Sequence, residues 1–190
     1  MKDNKYFLVI DTTTDKFLAG LGQGQNLIAE KSIPGRKHAD RLMPVIKEIL
    51  SRAGLGVKDI DVLGVGTGPG SFTGIRVGMS CIITMGQYLS VPVCSFSVLD
   101  IMGKSISRPV LKAYRDKYYT ARYDKNGIRK SKYSIIRAEE HPDIETVSKK
   151  IKVEDVLCRT VEIYKKGKSK SWRSIEPIYI METEYKPKYS

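Results

Sequence analysis

A chain of 190 residues is long enough to bury one substantial core, or one core with a small appendage. With 41% hydrophobic and 28% charged residues it has the composition of a globular protein, and no apolar run approaches the roughly 18 residues that a membrane span needs. The formal charge is +12 and falls unevenly: +2 over residues 1–100 and +10 over residues 101–190. That excess suits a polyanion such as RNA, or a lysine-rich surface that only keeps the chain in solution. Cys81, Cys94 and Cys158 lie far apart with no Cys-x-x-Cys pair, which argues against a zinc knuckle or a disulfide framework and for buried free thiols. The first residues lead straight into a five-residue apolar run, too short for the core of a signal peptide, so a cytoplasmic protein is expected.

Tyr6–Ile10 reads as a buried strand ending at Asp11. Phe17–Leu21 and Leu27–Ile33 follow as second and third strands, joined by a hairpin at Gly22-Gln23-Gly24. His38–Ala53 is a helix by period, with Leu42, Ile46, Ile49 and Ala53 on one stripe and Gly54 as its stop. Asp61–Val65 is a strand, the glycine-rich stretch Gly66–Gly74 a loop, and Ile75–Leu89 a second long helix. Val91–Cys94 is a short buried strand and Ser97–Gly103 a short helix. The order β-β-β-α-β-α-β predicts an α/β fold, a mixed sheet with helices packed on it. Beyond residue 104 the pattern loosens. Strands are expected at Val110–Tyr114, Tyr118–Tyr123 and Lys132–Arg137, with an Asn-Gly turn at 126–127, a short helix over Pro142–Ile151 and a strand-like tail at Glu176–Ile180. Two units are therefore expected: a main α/β domain over 1–103 and a small basic subdomain over 104–190, with the tail 176–180 returning to the main body.

Gly66–Gly74 carries the strongest chemical signal. Its glycines permit close backbone approach, and the helix behind it offers free N–H groups to an anion. The Gly-Lys-Ser/Thr ending of a P-loop is missing, and the spacing is not that of a dinucleotide fingerprint. Loop glycines that merely permit close packing are the competing reading. Asp11 before Thr12-Thr13-Thr14 pairs a carboxylate with hydroxyls, as a magnesium-water or phosphate site does, or as a turn cap does. Together Asp11, Thr13, Gly68, Gly70, Ser71 and Thr73 are candidates for a phosphate or nucleotide loop. Gly74 and Gly78 share a helix face on which another helix could approach closely. His38 and His141 are too isolated to form a metal site, and no Ser/His/Asp set or carboxylate pair assembles.

Three stretches carry a resemblance: Ile10-Asp-Thr-Thr-Thr14, Lys37-His-Ala-Asp-Arg-Leu-Met-Pro44 and Val65-Gly-Thr-Gly-Pro-Gly-Ser-Phe-Thr-Gly-Ile-Arg-Val-Gly78. They resemble the TsaB (YeaZ) family over residues 5–103, and the likeness returns at Glu176-Pro-Ile-Tyr-Ile180. Between these the likeness is loose: the family's Asp-Ala-Arg and Glu-Val-Tyr motifs are met only by Ala113-Tyr-Arg115 and Thr120-Ala-Arg-Tyr123.

The resemblance implies an actin-like ATPase fold (ribonuclease H-like, of the Hsp70/sugar-kinase kind) with a truncated second subdomain. It implies a non-catalytic scaffold role beside TsaD and TsaE in threonylcarbamoylation of the tRNA adenosine adjacent to the anticodon. ATP and metal then belong to the partner subunits. The phosphate loop would be vestigial, because the second half offers no glycine-rich loop to close on a nucleotide. The stretch Phe96–Met102 also lacks the paired histidines with which TsaD holds a metal. The family pairs through its first two long helices, with TsaD or with a second copy of itself when TsaD is absent. That implies an interface near His38, Arg41, Leu42, Val45, Ile75, Met79 and Ile82. Two other functions fit the residues: an ATP-dependent transferase or kinase acting through Asp11 and the Gly66–Gly74 loop, and a stand-alone RNA-binding module built on the basic, tyrosine-rich second half.

Overall fold

The computed structural model describes residues 4–35, 39–140 and 151–180. Strands β1 (Tyr6–Asp11), β2 (Lys16–Gln23) and β3 (Asn26–Pro34) form an antiparallel meander, and β4 (Val62–Gly66) and β5 (Val93–Phe96) add to it in parallel with β1. The sheet order is β3-β2-β1-β4-β5. Alternation along β1 sets the two cores. Leu8 and Ile10 point to one face, where α1 (Ala39–Arg52) and α2 (Phe72–Leu89) pack; Phe7 and Val9 point to the other, beneath α3 (Val98–Met102) and α4 (Val153–Lys165). The result is a helix–sheet–helix sandwich. Among the described residues no helix is long and apolar enough to cross a membrane.

The element order of the first hundred residues matches the sequence reading, with shifted boundaries that have local causes. The β2–β3 turn sits at Gly24-Gln25, where Gly24 takes φ 57°, and Gly22 stays inside β2. Helix α1 stops where expected: Gly54 adopts φ 67° and the Leu55 N–H donates to the Leu50 carbonyl at 3.0 Å. Helix α2 begins one turn early, at Phe72 rather than Ile75, because the Ser71 hydroxyl accepts from the Gly74 N–H at 3.2 Å and caps it. Gly74 is thus a helical residue, and the loop proper is 67–71.

A second, antiparallel sheet is made of β6 (Val110–Lys112), β7 (Lys117–Thr120) and β8 (Ser134–Arg137), all three shorter than the sequence reading gave. It is tied to α3 from its flanks: the hydroxyls of Tyr123 and Tyr133 both donate to Asp100 Oδ1, at 2.7 and 2.8 Å. Burial and the adjacent carboxylate push both phenol pKa values up, so the hydroxyls stay protonated donors.

Helix α4 was not expected. Val153, Val156, Leu157, Thr160 and Val161 recur at helical spacing and are buried against the main sheet, and the Lys152 N–H is held by the Asp155 carboxylate at 2.8 Å. The helix can lie close because three sheet glycines face it. A Cβ on Gly20, Gly22 or Gly64 would collide with Val153, Leu157 or Thr160 respectively. The helix expected over Pro142–Ile151 falls, apart from Ile151, outside the described residues. The tail at 176–180 is not a strand, and its Ile178 N–H donates to the Thr67 carbonyl at 2.8 Å. The thiols divide. Cys94 is buried and its pKa is pushed up to about 12 by desolvation, Cys81 is half-buried and raised to about 11, and Cys158 is exposed, against the expectation of burial for all three.

Candidate functional site

The Asp11 carboxylate ends β1 in full burial. Its Oδ1 accepts from the Thr13 hydroxyl at 2.7 Å and from the Thr13 N–H at 3.3 Å, while Oδ2 is buried with no partner. Desolvation outweighs those hydrogen bonds and raises its pKa to about 6. Gly66 leaves the space that this carboxylate fills, since a Cβ there would run into Asp11 Oδ1.

The loop that follows β4 is fastened to the turn after β1. The Ser71 N–H donates to the Thr13 carbonyl at 2.7 Å, the Thr12 hydroxyl donates to the Gly74 carbonyl at 2.6 Å, and the Thr67 N–H donates to the Phe96 carbonyl at 2.9 Å. The glycines serve the same contact: a Cβ on Gly70 would strike the Thr13 carbonyl, and one on Gly74 or Gly78 would strike Thr12. The sequence reading assigned Gly74 and Gly78 to the approach of another helix; here they admit the chain's own β1 turn. Of the sequence candidates, Thr13, Gly70, Ser71 and Thr73 line one cleft, Asp11 is buried behind Thr13, and Gly68 faces Ile75 and Ile178 instead. The amides of Ser71, Gly74 and Ile75 are already bonded within the chain. Among the described residues no group of three His, Cys, Asp or Glu is placed to hold a metal ion.

Thr13, Thr14, Ser71 and Thr73 form one wall of a cleft of about 420 Å³, and Lys112, Tyr114 and Tyr119 from the second sheet form the other. Sequence reasoning put no residue of that second wall in the phosphate loop; Tyr114 and Tyr119 entered it only within the basic, tyrosine-rich half considered as an RNA-binding module. The signal available was the tyrosine and lysine alternation at 112–119.

Most of the residues expected at an interface on α1 and α2 lie inside the chain. Leu42, Val45, Ile75, Met79 and Ile82 are all buried inside the chain, at 6% exposure or less. They form the core that these helices share with the sheet, so they do not reach a surface. His38 lies outside the described residues, and Arg41 is exposed. The open side of the pair carries Met43 and Tyr88, 56% and 65% exposed, with Arg41, Pro44, Lys47, Ser80 and Thr84 around them. The Cys81 thiol bridges the two helices at 3.7 Å from the Met43 sulfur.

Comparison with known proteins places this geometry. The model of the family TsaD, tRNA N6-adenosine threonylcarbamoyltransferase, matches residues 29–133. The tRNA threonylcarbamoyladenosine biosynthesis protein TsaB of Escherichia coli is 30% identical over 131 residues, covering 64% of this chain and 57% of that protein. TsaB of Haemophilus influenzae is 34% identical over 102 residues, covering 54% of this chain and 43% of that protein. An uncharacterized protein of Mycobacterium tuberculosis is 37% identical over 128 residues, covering 64% and 60%. The chain thus spans 43% to 60% of the length of these curated relatives. Among solved structures, YeaZ from Pseudomonas aeruginosa superposes with a TM-score of 0.76 at 18% identity, covering 93% of this chain and 100% of that one. With the meander and parallel additions seen here, that match gives the actin-like, ribonuclease H-like α/β fold.

Proposed function

Because the chain belongs to the TsaB/YeaZ family, we propose that it acts in the biosynthesis of threonylcarbamoyladenosine on tRNA, as a non-catalytic scaffold subunit beside TsaD and TsaE. The observation that carries the non-catalytic part is the Ser71 amide bonded to the Thr13 carbonyl at 2.7 Å. A phosphate loop works by presenting backbone N–H groups to an anion. Here the two loops that would cradle the phosphates are joined to each other, with Gly70 and Gly74 packed into that junction. Such a junction stiffens the scaffold and leaves ATP and metal chemistry to partner subunits.

The partner surface in this reading is the open side of α1 and α2. Its supporting features are the exposed Met43 and Tyr88 beside Arg41 and Lys47, on helices whose inner faces are already fixed by the core. TsaD occupies that side, or a second copy of the chain does when TsaD is absent. A buried methionine at the centre of such a contact makes Met43→Glu cost about 2 kcal/mol or more of binding, roughly thirtyfold in affinity. Light scattering coupled to size-exclusion chromatography, with the same organism's TsaD present or absent, tests it. The wild-type chain is expected to co-elute with TsaD and Met43→Glu to do so weakly, with both unfolding at the same temperature. Equal co-elution of the variant would remove this face from the interface.

One observation favours a second reading, nucleotide turnover by the chain itself: Asp11 Oδ2 is buried beside the loop without a partner. ATP hydrolysis by the isolated chain, abolished by Asp11→Asn, would support it and displace the scaffold reading.

A further inference from the structure

We propose that the cleft between the α2 N-terminus and the second sheet is a docking site for single-stranded RNA, holding an unpaired base against its aromatic rings and the neighbouring phosphates against its cations. This extends the reading of the chain as a subunit of a tRNA-modifying assembly, and it gives a role to a surface distinct from the α1–α2 face.

Three of the large aromatic side chains exposed on the described surface meet at this one place. Phe72 is 54% exposed, Tyr114 44% and Tyr179 41%. Two adjoining hollows, of about 420 and 230 Å³, share Gly70, Phe72 and Tyr119. Together they lie within the roughly 300–1,000 Å³ typical of ligand sites. Phe72 and Tyr179 stand 5.1 Å apart between centroids, and the Arg76 guanidinium lies 3.9 Å over the Phe72 ring and donates to the Tyr179 hydroxyl. A planar cation on an aromatic ring is a surface on which a base can stack. Lys112 and Tyr114 line the far wall; the Lys112 ammonium sits 4.4 Å over the ring of Tyr118, and Lys117 lies 5.2 Å over the Tyr114 ring. The carboxylate lining the cleft is Asp15.

The hollows are lined by one cation, Lys112, and one carboxylate, Asp15, and it is the charge of the segment carrying the second wall that favours one kind of partner. Between residues 104 and 137 there are 11 lysines and arginines against two aspartates, Asp116 and Asp124, and Asp124 is already paired with Lys130 at 3.0 Å. An apolar peptide would be served by the rings alone and gains nothing from this field. A polyanion with flat, unpaired bases uses both features. Paired RNA does not, because its bases are already stacked. Hydroxyls of Thr73 and Ser71 at the lip, beside an aromatic floor, suit a ribose and base edge.

The test is fluorescence anisotropy of the full chain with labelled oligo(A) and oligo(U), unlabelled AMP and ATP as competitors, and a hairpin duplex as control. Phe72→Ala and Tyr114→Ala, both at exposed positions, are each expected to weaken single-strand binding by about five- to a hundredfold without changing the unfolding temperature. Phe72→Tyr should keep it, and Lys112→Gln should flatten its salt dependence. Wild-type affinity in both alanine variants, or no single-strand binding by the wild-type chain at low salt, overturns the proposal. So does equal binding of AMP at the same rings, which would make the cleft a free-nucleotide site. Loss of a protein partner with RNA binding unchanged would make it a peptide site. Co-elution of the same variants with TsaD is read in parallel, because retained co-elution separates failure of this cleft from failure of the scaffold reading.

Discussion

Asp11 shows how one residue can report on the state of the loop around it. A carboxylate buried without a partner for Oδ2 is less acidic folded, at about 6, than its ordinary 3.8. The folded state therefore binds the proton more tightly. Stability from this group is fully present below about 3.8 and is lost as the pH rises through about 6. The wild type is expected to gain about 2 kcal/mol relative to Asp11→Asn on going from pH 7 to pH 4.5, as read from urea unfolding of both proteins. Parallel pH profiles would mean that the carboxylate is compensated by a group from outside the described contacts. The aspartate itself was legible from its place at the end of an apolar run. That it would be sealed beneath Gly66 was not, because the seal depends on β4 arriving parallel to β1.

At the scale of elements, the sheet receives α4 through bare Cα positions, and the fit is specific enough to test by compensation. Leu157→Ala removes a fully buried side chain and is expected to cost about 2–5 kcal/mol. Gly22→Ala inserts a methyl where Leu157 packs and should cost about 1–3 kcal/mol. The pair should be less damaging than the sum, with coupling of about 1 kcal/mol or more in a double-mutant cycle of denaturant unfolding. Simple additivity would contradict this packing. Strands β1, β4 and β5 were legible as short apolar runs, and helices α1 and α2 through stripes at a period of 3.6. Helix α4 carries the same period, but lysines and acids crowd its outer face, and it follows a stretch whose pattern had already loosened. The stripes on α1 and α2 were legible too, yet a stripe does not say which body covers it. Leu42, Ile75, Met79 and Ile82 turned out to belong to the chain's own core, and the open side is marked by Met43 and Tyr88 instead.

For the whole molecule, the two surfaces to which the proposals assign partners are chemically unlike. The α1–α2 side offers thioether and aromatic groups at a rigid pair of helices, suited to a protein. The cleft beside the second sheet offers rings and cations, suited to nucleic acid. The phosphate-loop geometry has its Ser71, Gly74 and Ile75 amides bonded within the chain and Gly70 and Gly74 packed against the turn after β1. The proposed role, joining partners and holding RNA while the chemistry takes place elsewhere, rests on that arrangement. The most direct measurement is the threonylcarbamoyladenosine content of tRNA, by mass spectrometry, in a reconstituted reaction with the same organism's TsaD and TsaE and with this chain omitted, supplied as wild type or supplied as Met43→Glu. Modification that needs the wild-type chain and falls with Met43→Glu is the predicted result. Full modification without the chain would contradict the account.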